Sequence, residues 1–353
     1  SIASRTSQAS TPNSPYLSVM NRLLFLFLPF LSTFSFSQTL ETVIQKGHEL
    51  AVVSIAVSPD SNFVATGSKD KSAKLWDLRN GREVRSFLGH VMTVTSLEFS
   101  PDGKYLLTGS NDKTARVWEV ETGKELFNIP SYDNGLITDV AFDPLNRFFV
   151  LAGYSSSGYG DSAVVYDVKT RKVLAKIQVE PDKGLGNGID IAISPDGKWI
   201  GFGEDNRKVR IYKTTDWLKV YQFEFEEGWC GGCGTDLVFS PDSKLVYMAS
   251  HRGPVKKYDL ADGKLLKVYE KNPEELTGLA ISPDGKKLSR ATEKEVIFWN
   301  EATGEELSKL TAEEKAEFHE IAFTRDSNHL LITCDNNTAF SWDLQQKKKG
   351  LEL

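Results

Sequence analysis

The chain has 353 residues, 40 % of them hydrophobic and 25 % charged, fractions ordinary for a soluble globular protein. Forty-two Lys and Arg against 48 Asp and Glu leave a net charge of −6, an acidic balance that argues against a nucleic-acid partner held by phosphate neutralisation. Three cysteines are too few for a scaffold built on disulfides.

In chain order, residues 1–38 read as a leader outside the fold. Ser1 to Ser18 carries no acidic residue, and Met20-Asn21-Arg22 precedes the apolar run Leu23 to Leu31. Small residues then flank Phe36 at Ser35 and Ser37. A positive start, a short apolar core and a small-x-small end make a secretory signal peptide over residues 20–37. The apolar run is too short to span a bilayer, so no stable membrane anchor is expected after cleavage. The protein is therefore expected to be exported, to the periplasm or outside the cell.

From Leu40 onward one pattern repeats. Its clearest copy runs from Gly89 to Glu119: Gly89-His90, an alternating run, the turn Ser100-Pro101-Asp102-Gly103, a second run, the polar turn Asn111-Asp112-Lys113, and a third run ending on Trp118. A fourth run, Glu125 to Ile129, follows the turn Glu121-Thr122-Gly123. Four short strands joined by tight turns make one antiparallel propeller blade. The first turn recurs at Ser58, Ser100, Asp143, Ser194, Ser240, Ser282 and Thr324, and the aromatic ending the third strand at Trp76, Trp118, Tyr166, Tyr212, Tyr258, Trp299 and Trp342. Both landmarks count seven. The expected fold is all-β, a seven-bladed propeller over residues 39–346, read as a monomer. No outer strand is evident after Trp342-Asp343, where residues 347–353 read as a short basic tail. Leu40 to Gln45 is expected to supply the fourth strand of the last blade and close the ring.

These residues resemble the WD-repeat β-propeller family in an exported, bacterial-type form. The match is closest in blades 1 and 2 (Gly47-His48, Thr66-Gly67-Ser68 and Trp76-Asp77; Gly89-His90, Thr108-Gly109-Ser110 and Trp118). The resemblance implies a hydrogen-bonded chain inside each blade, through His48, Thr66, Asp70 and Trp76 and through His90, Thr108, Asp112 and Trp118. The other five blades lack the opening Gly-His and are expected to rely more on apolar packing. Bacterial propellers of this kind are often joined to caspase-like peptidase domains, so a regulatory propeller of a larger peptidase is a further alternative.

The candidate chemistry is sparse. Cys230-Gly231-Gly232-Cys233 has a spacing that permits a tight disulfide or a redox pair, and an oxidising compartment favours the disulfide. Cys334 reads as a buried free thiol. The five histidines show no metal-ligand spacing, and neither a nucleophile elbow nor a phosphate loop appears. No catalytic residue, cofactor or metal is therefore expected. Tyr154 and Tyr159 in one long loop, Trp229 in another, and Arg252 in the blade 5 turn should project from the face bearing the Gly-His corners. Trp217, in an outer hairpin turn where other blades place Gly, should be exposed on the opposite face. The reading is a non-enzymatic scaffold that binds a protein or peptide through the Gly-His-side loops. Its alternative is a propeller, possibly enzymatic, holding a small ligand or sugar in the central channel.

Overall fold

The computed structural model describes residues 47–132, 134–154, 162–178, 189–204, 207–225, 235–250, 252–269, 275–313 and 316–353. They form seven four-stranded antiparallel sheets, and each sheet is assembled from four consecutive strands. The first strands, Val52–Val57, Val94–Phe99, Leu136–Phe142, Ile189–Ile193, Thr235–Phe239, Leu276–Ile281 and Phe318–Phe323, line one central channel. Each packs on the next, and the seventh packs on the first, which makes the sheets the blades of a closed propeller. No described residue is helical.

The turns explain why the strands end where they do. After each first strand a Ser, Thr or Asp side chain organises a tight turn. Ser100 donates from Oγ to Asp102 Oδ1 at 2.6 Å, while Tyr105 N donates back to Ser100 Oγ at 3.0 Å. Gly103 closes this turn at φ +69°, a left-handed conformation that costs glycine nothing. Ser61, Asn146, Ser243 and Ser327 adopt the same conformation in their blades. Ser61, Ser243 and Ser327 then do more. Their hydroxyls accept Arg325 N, Asp196 N and Asp284 N from the blade before, at 3.3, 3.0 and 3.1 Å, so the turn residues also fasten neighbouring blades.

The core lies between blades and not within them. Seven apolar clusters are present among the described residues, and each spans one junction. Phe87 of blade 1, for example, meets Trp118 of blade 2 at 5.7 Å between ring centroids. A four-stranded sheet has two apolar faces here, and only a neighbour on each side removes both from water.

Closure differs from the expectation. The fourth strand of the last blade is Lys348–Glu352, paired to Ala339–Asp343, whereas the expected closing segment 40–45 lies outside the described residues. The supposed basic tail is thus an outer strand. Outer strands in this fold expose alternate side chains, and lysine suits such an edge. The hairpin turn before it was obscured because Lys347, at φ 52°, stands where blades 1, 2, 5 and 6 use Gly81, Gly123, Gly263 and Gly304. The junction of blades 7 and 1 is sealed by packing. Leu331, Ala339 and Leu353 meet Val52, Ile55, Val64 and Trp76, and Ile55 N donates to Glu320 Oε2 at 2.7 Å.

Trp217 also departs from expectation. It is only partly exposed, and its ring meets Phe148 of blade 3 edge-on at 5.2 Å. The strained left-handed backbone at this bulky residue, φ 61°, is compensated by that packing. The expected leader 1–38, and the signal peptide read within it, lie outside the described residues.

Candidate functional site

The Gly-His face is built on two rigid corners. In blade 1, His48 Nδ1 lies 2.8 Å from Asp70 Oδ2, His48 Nε2 lies 2.8 Å from Thr66 Oγ1, and Trp76 Nε1 donates to the same hydroxyl at 2.7 Å. Blade 2 repeats this with His90, Asp112, Thr108 and Trp118 at 2.8, 2.8 and 2.9 Å. With the imidazole proton assigned to Nδ1, each link has one donor: indole to hydroxyl, hydroxyl to imidazole, imidazole to carboxylate. The structure therefore brings together both quartets that the sequence singled out. Burial pushes His90 below its usual range against the pull of Asp112, which keeps it neutral as the chain requires. Burial also works to raise Asp70, but hydrogen bonds from His48 and Ser72 prevail and hold its carboxyl far below the usual range.

The remaining blades fill the threonine position differently. Leu151, Phe202, Met248 and Ile332 are apolar and buried, in line with greater apolar packing. Two blades depart from it. Arg290 takes the position in blade 6, fully buried, and blade 4 buries the ion pair Arg210 Nη1–Glu204 Oε1 at 3.0 Å.

On the two corners stands an apolar surface that the sequence reasoning missed. Leu88 is 72 % exposed, Val91 67 %, Leu50 51 % and Met92 49 %. Each is anchored by its backbone: Val91 N donates to Asp112 Oδ2 at 3.1 Å, Leu50 O and Met92 O accept from Ser68 and Ser110 hydroxyls, and Leu88 pairs with Ser72. The signal was present as apolar residues directly beside Gly-His, where a solvated loop would carry polar ones.

The central channel is the second feature, a cavity of about 810 Å³. Carboxylates on four first strands each accept a backbone N–H from the next blade: Glu98 from Phe142, Asp139 from Ile191 at 2.6 Å, Asp236 from Leu279 at 2.6 Å, and Glu320 from Ile55. Burial pushes Glu98 and Glu320 up to about 8, Asp236 to about 7 and Asp139 to about 6. His319 lines the same channel, and its Nε2 has no hydrogen-bond partner among the described residues.

Of the expected contact residues, Tyr154 ends the second strand of blade 3, its backbone paired with Leu136. Arg252 sits in the blade 5 turn with its side chain more than half exposed, and it is ion-paired to Glu275. Tyr159, Trp229, Cys230 and Cys233 lie outside the described residues. Cys334 is free and buried, and burial pushes its thiol up to about 12.

Fold and face together define a propeller with WD-type repeats in its first two blades. Residues 38–77 and 81–119 match the family described as "WD domain, G-beta repeat". The chain is 26 % identical over 300 residues to a ribosome biogenesis protein BOP1 homolog of Aedes aegypti, covering 74 % of this chain and 29 % of that protein. It is 25 % identical over 175 residues to the small ribosomal subunit protein RACK1 of Caenorhabditis elegans, covering 48 % of this chain and 38 % of the relative. It is 32 % identical over 98 residues to the apoptotic protease-activating factor 1 of Rattus norvegicus, covering 26 % of this chain and 8 % of the relative. The chain thus spans well under half the length of these curated relatives. The same relatives correct the expected localisation. The BOP1 homolog and RACK1 are ribosome-related proteins of eukaryotes, and this likeness overturns the reading of an exported protein.

Proposed function

We propose that this chain is a non-enzymatic propeller that binds a protein partner across its Gly-His face, centred on blades 1 and 2. The observation that carries the reading is the exposed set Leu50, Leu88, Val91 and Met92, fixed on two corners whose hydrogen-bond chains are internally satisfied. Large apolar side chains held rigidly in water favour association, because burying them gains free energy at little cost in ordering. Tyr154, Tyr159, Trp229 and Arg252 are further candidates for the same contact.

The test is affinity capture with the full chain, comparing wild type, Val91→Asp/Met92→Asp, and Leu265→Asp on the outer strand of blade 5. Loss of the captured partner in the double variant alone supports the reading. An unchanged partner in the double variant, with its thermal midpoint preserved, refutes it. A small ligand in the channel is the second reading, favoured by the cavity and its carboxylates. It ranks lower because four of those carboxylates are already engaged by backbone N–H groups of the neighbouring blade.

A further inference from the structure

The charge around this apolar surface narrows the kind of partner it fits. Lys69 and Lys71 flank Asp70 in the blade 1 turn, and Lys113 follows Asp112 in the blade 2 turn. Lys69 N is held by Ala51 O at 3.0 Å, beside Leu50, and Lys71 adjoins Ser72, the strand partner of Leu88. Lys71 and Lys113 occupy equivalent left-handed positions, φ 76° and 70°. Lys69 and Lys71 are exposed and Lys113 is partly so, and none of the three makes an ion pair among the described residues.

The acids on the same loops are used differently. Asp70 takes His48 Nδ1 and Glu49 N on Oδ2, and Ser72 N and Oγ on Oδ1. Asp112 takes His90, Val91 and Thr114 in the same way. Their carboxylates are turned into the blade, so the outward charge of these two loops is three lysines against Glu49, with Asp335 and Glu317 of blade 7 on the Lys69 side. These two loops are positive on a chain whose net charge is −6. We infer that the Gly-His face of blades 1 and 2 takes an acidic segment of a protein partner, its apolar side chains seated on Leu50, Leu88, Val91 and Met92 and its carboxylates facing Lys69, Lys71 and Lys113.

This inference rests on the proposed protein-binding face and specifies its partner. Complementary charge at the rim steers encounter and fixes register, and the apolar centre supplies most of the affinity. A basic segment would meet like charge, and a polar acidic segment would find no seat.

The experiment measures fluorescence anisotropy of the full chain with three labelled peptides of equal length. One places Asp and Glu around Leu and Phe, one replaces the acids with Lys, and one replaces the apolar residues with Ser. The first should bind about tenfold more tightly than either other, a ratio set by two or three screened charge pairs and the apolar contact. Lys71→Glu/Lys113→Glu should weaken it about tenfold and reverse the preference toward the basic peptide. Equal binding of the acidic and basic peptides, no binding of the first, or no effect of charge reversal overturns the inference. Displacement of the first peptide by a single-stranded oligonucleotide at equal concentration also overturns it, since the lysines would then be reading phosphate. Val91→Asp/Met92→Asp separates the two levels. If it weakens binding and charge reversal does not, the face stands and its acidic partner falls; if it changes nothing, the face falls too.

Discussion

Thr108→Val tests whether the hydrogen-bond chain of blade 2 stabilises the fold or merely decorates it. The hydroxyl of Thr108 is fully buried and stands between His90 Nε2 and Trp118 Nε1, at 2.8 and 2.9 Å. Valine keeps the shape and the β-branch, so packing changes little. Both partners are left in the interior without a mate: one indole N–H and one imidazole nitrogen. Each stranded group costs about 1–3 kcal/mol, which makes the expected loss about 2–6 kcal/mol. That is a large share of a domain stability of about 5–15 kcal/mol. The assay is urea denaturation followed by tryptophan fluorescence, with Thr108→Ser as the control that restores the hydroxyl. Thr66→Val in blade 1 should cost a similar amount, and because the two quartets share no partner the two losses should add. A loss below about 0.5 kcal/mol for Thr108→Val, the size of an ordinary surface substitution, refutes the reasoning.

Stability should depend on pH in a direction set by the channel. Glu98 and Glu320 are pushed up to about 8 by burial, so between the ordinary glutamate range and that value the folded chain holds protons that the unfolded chain has released. Stability is then greatest near the acidic end of that window and falls as pH rises through about 8. Glu98→Gln/Glu320→Gln should flatten the slope of thermal midpoint between pH 5.5 and 8.5, and a wild-type midpoint that rises over this range contradicts the assignment. Asp70 and Asp112 act oppositely: their folded pKa values are depressed, so their contribution is complete above the ordinary aspartate range and is lost as pH falls below it. Asp112→Asn should reduce the acid-limb loss seen by circular dichroism. Leu353→Ala, at the seam of blades 7 and 1, should cost about 2–3 kcal/mol in urea denaturation, as expected for truncating a buried leucine. A negligible cost would mean that this strand does not complete the last blade.

Much of the fold was legible because its landmarks are local. Ser-Pro-Asp sets a turn within a few residues, and the aromatic ending each third strand is fixed by its place at the junction core, as Trp118 is against Phe87. The last blade was misread because Lys347 adopts by tertiary constraint a conformation that glycine signals elsewhere. The channel carboxylates were not legible, since the residue that engages each one lies some 43 to 265 positions away. Arg290 and the Arg210–Glu204 pair escaped for a related reason. A charge inside a strand pattern reads as solvent-facing until the neighbouring blade is seen to cover it.

The seam between the seventh and first blades has a mechanical consequence. Blades 1 to 7 follow one another along the chain, so blades 7 and 1 are not sequence neighbours, and among the described residues their junction is held by packing and hydrogen bonds without a shared strand. It is where the circle can gape without breaking a peptide bond, and tension or crowding imposed anywhere on the rim should find release there. A crosslink stitched across this line would turn a disc that can breathe into one that cannot, with its two best-formed corners, in blades 1 and 2, lying directly beside the stitch.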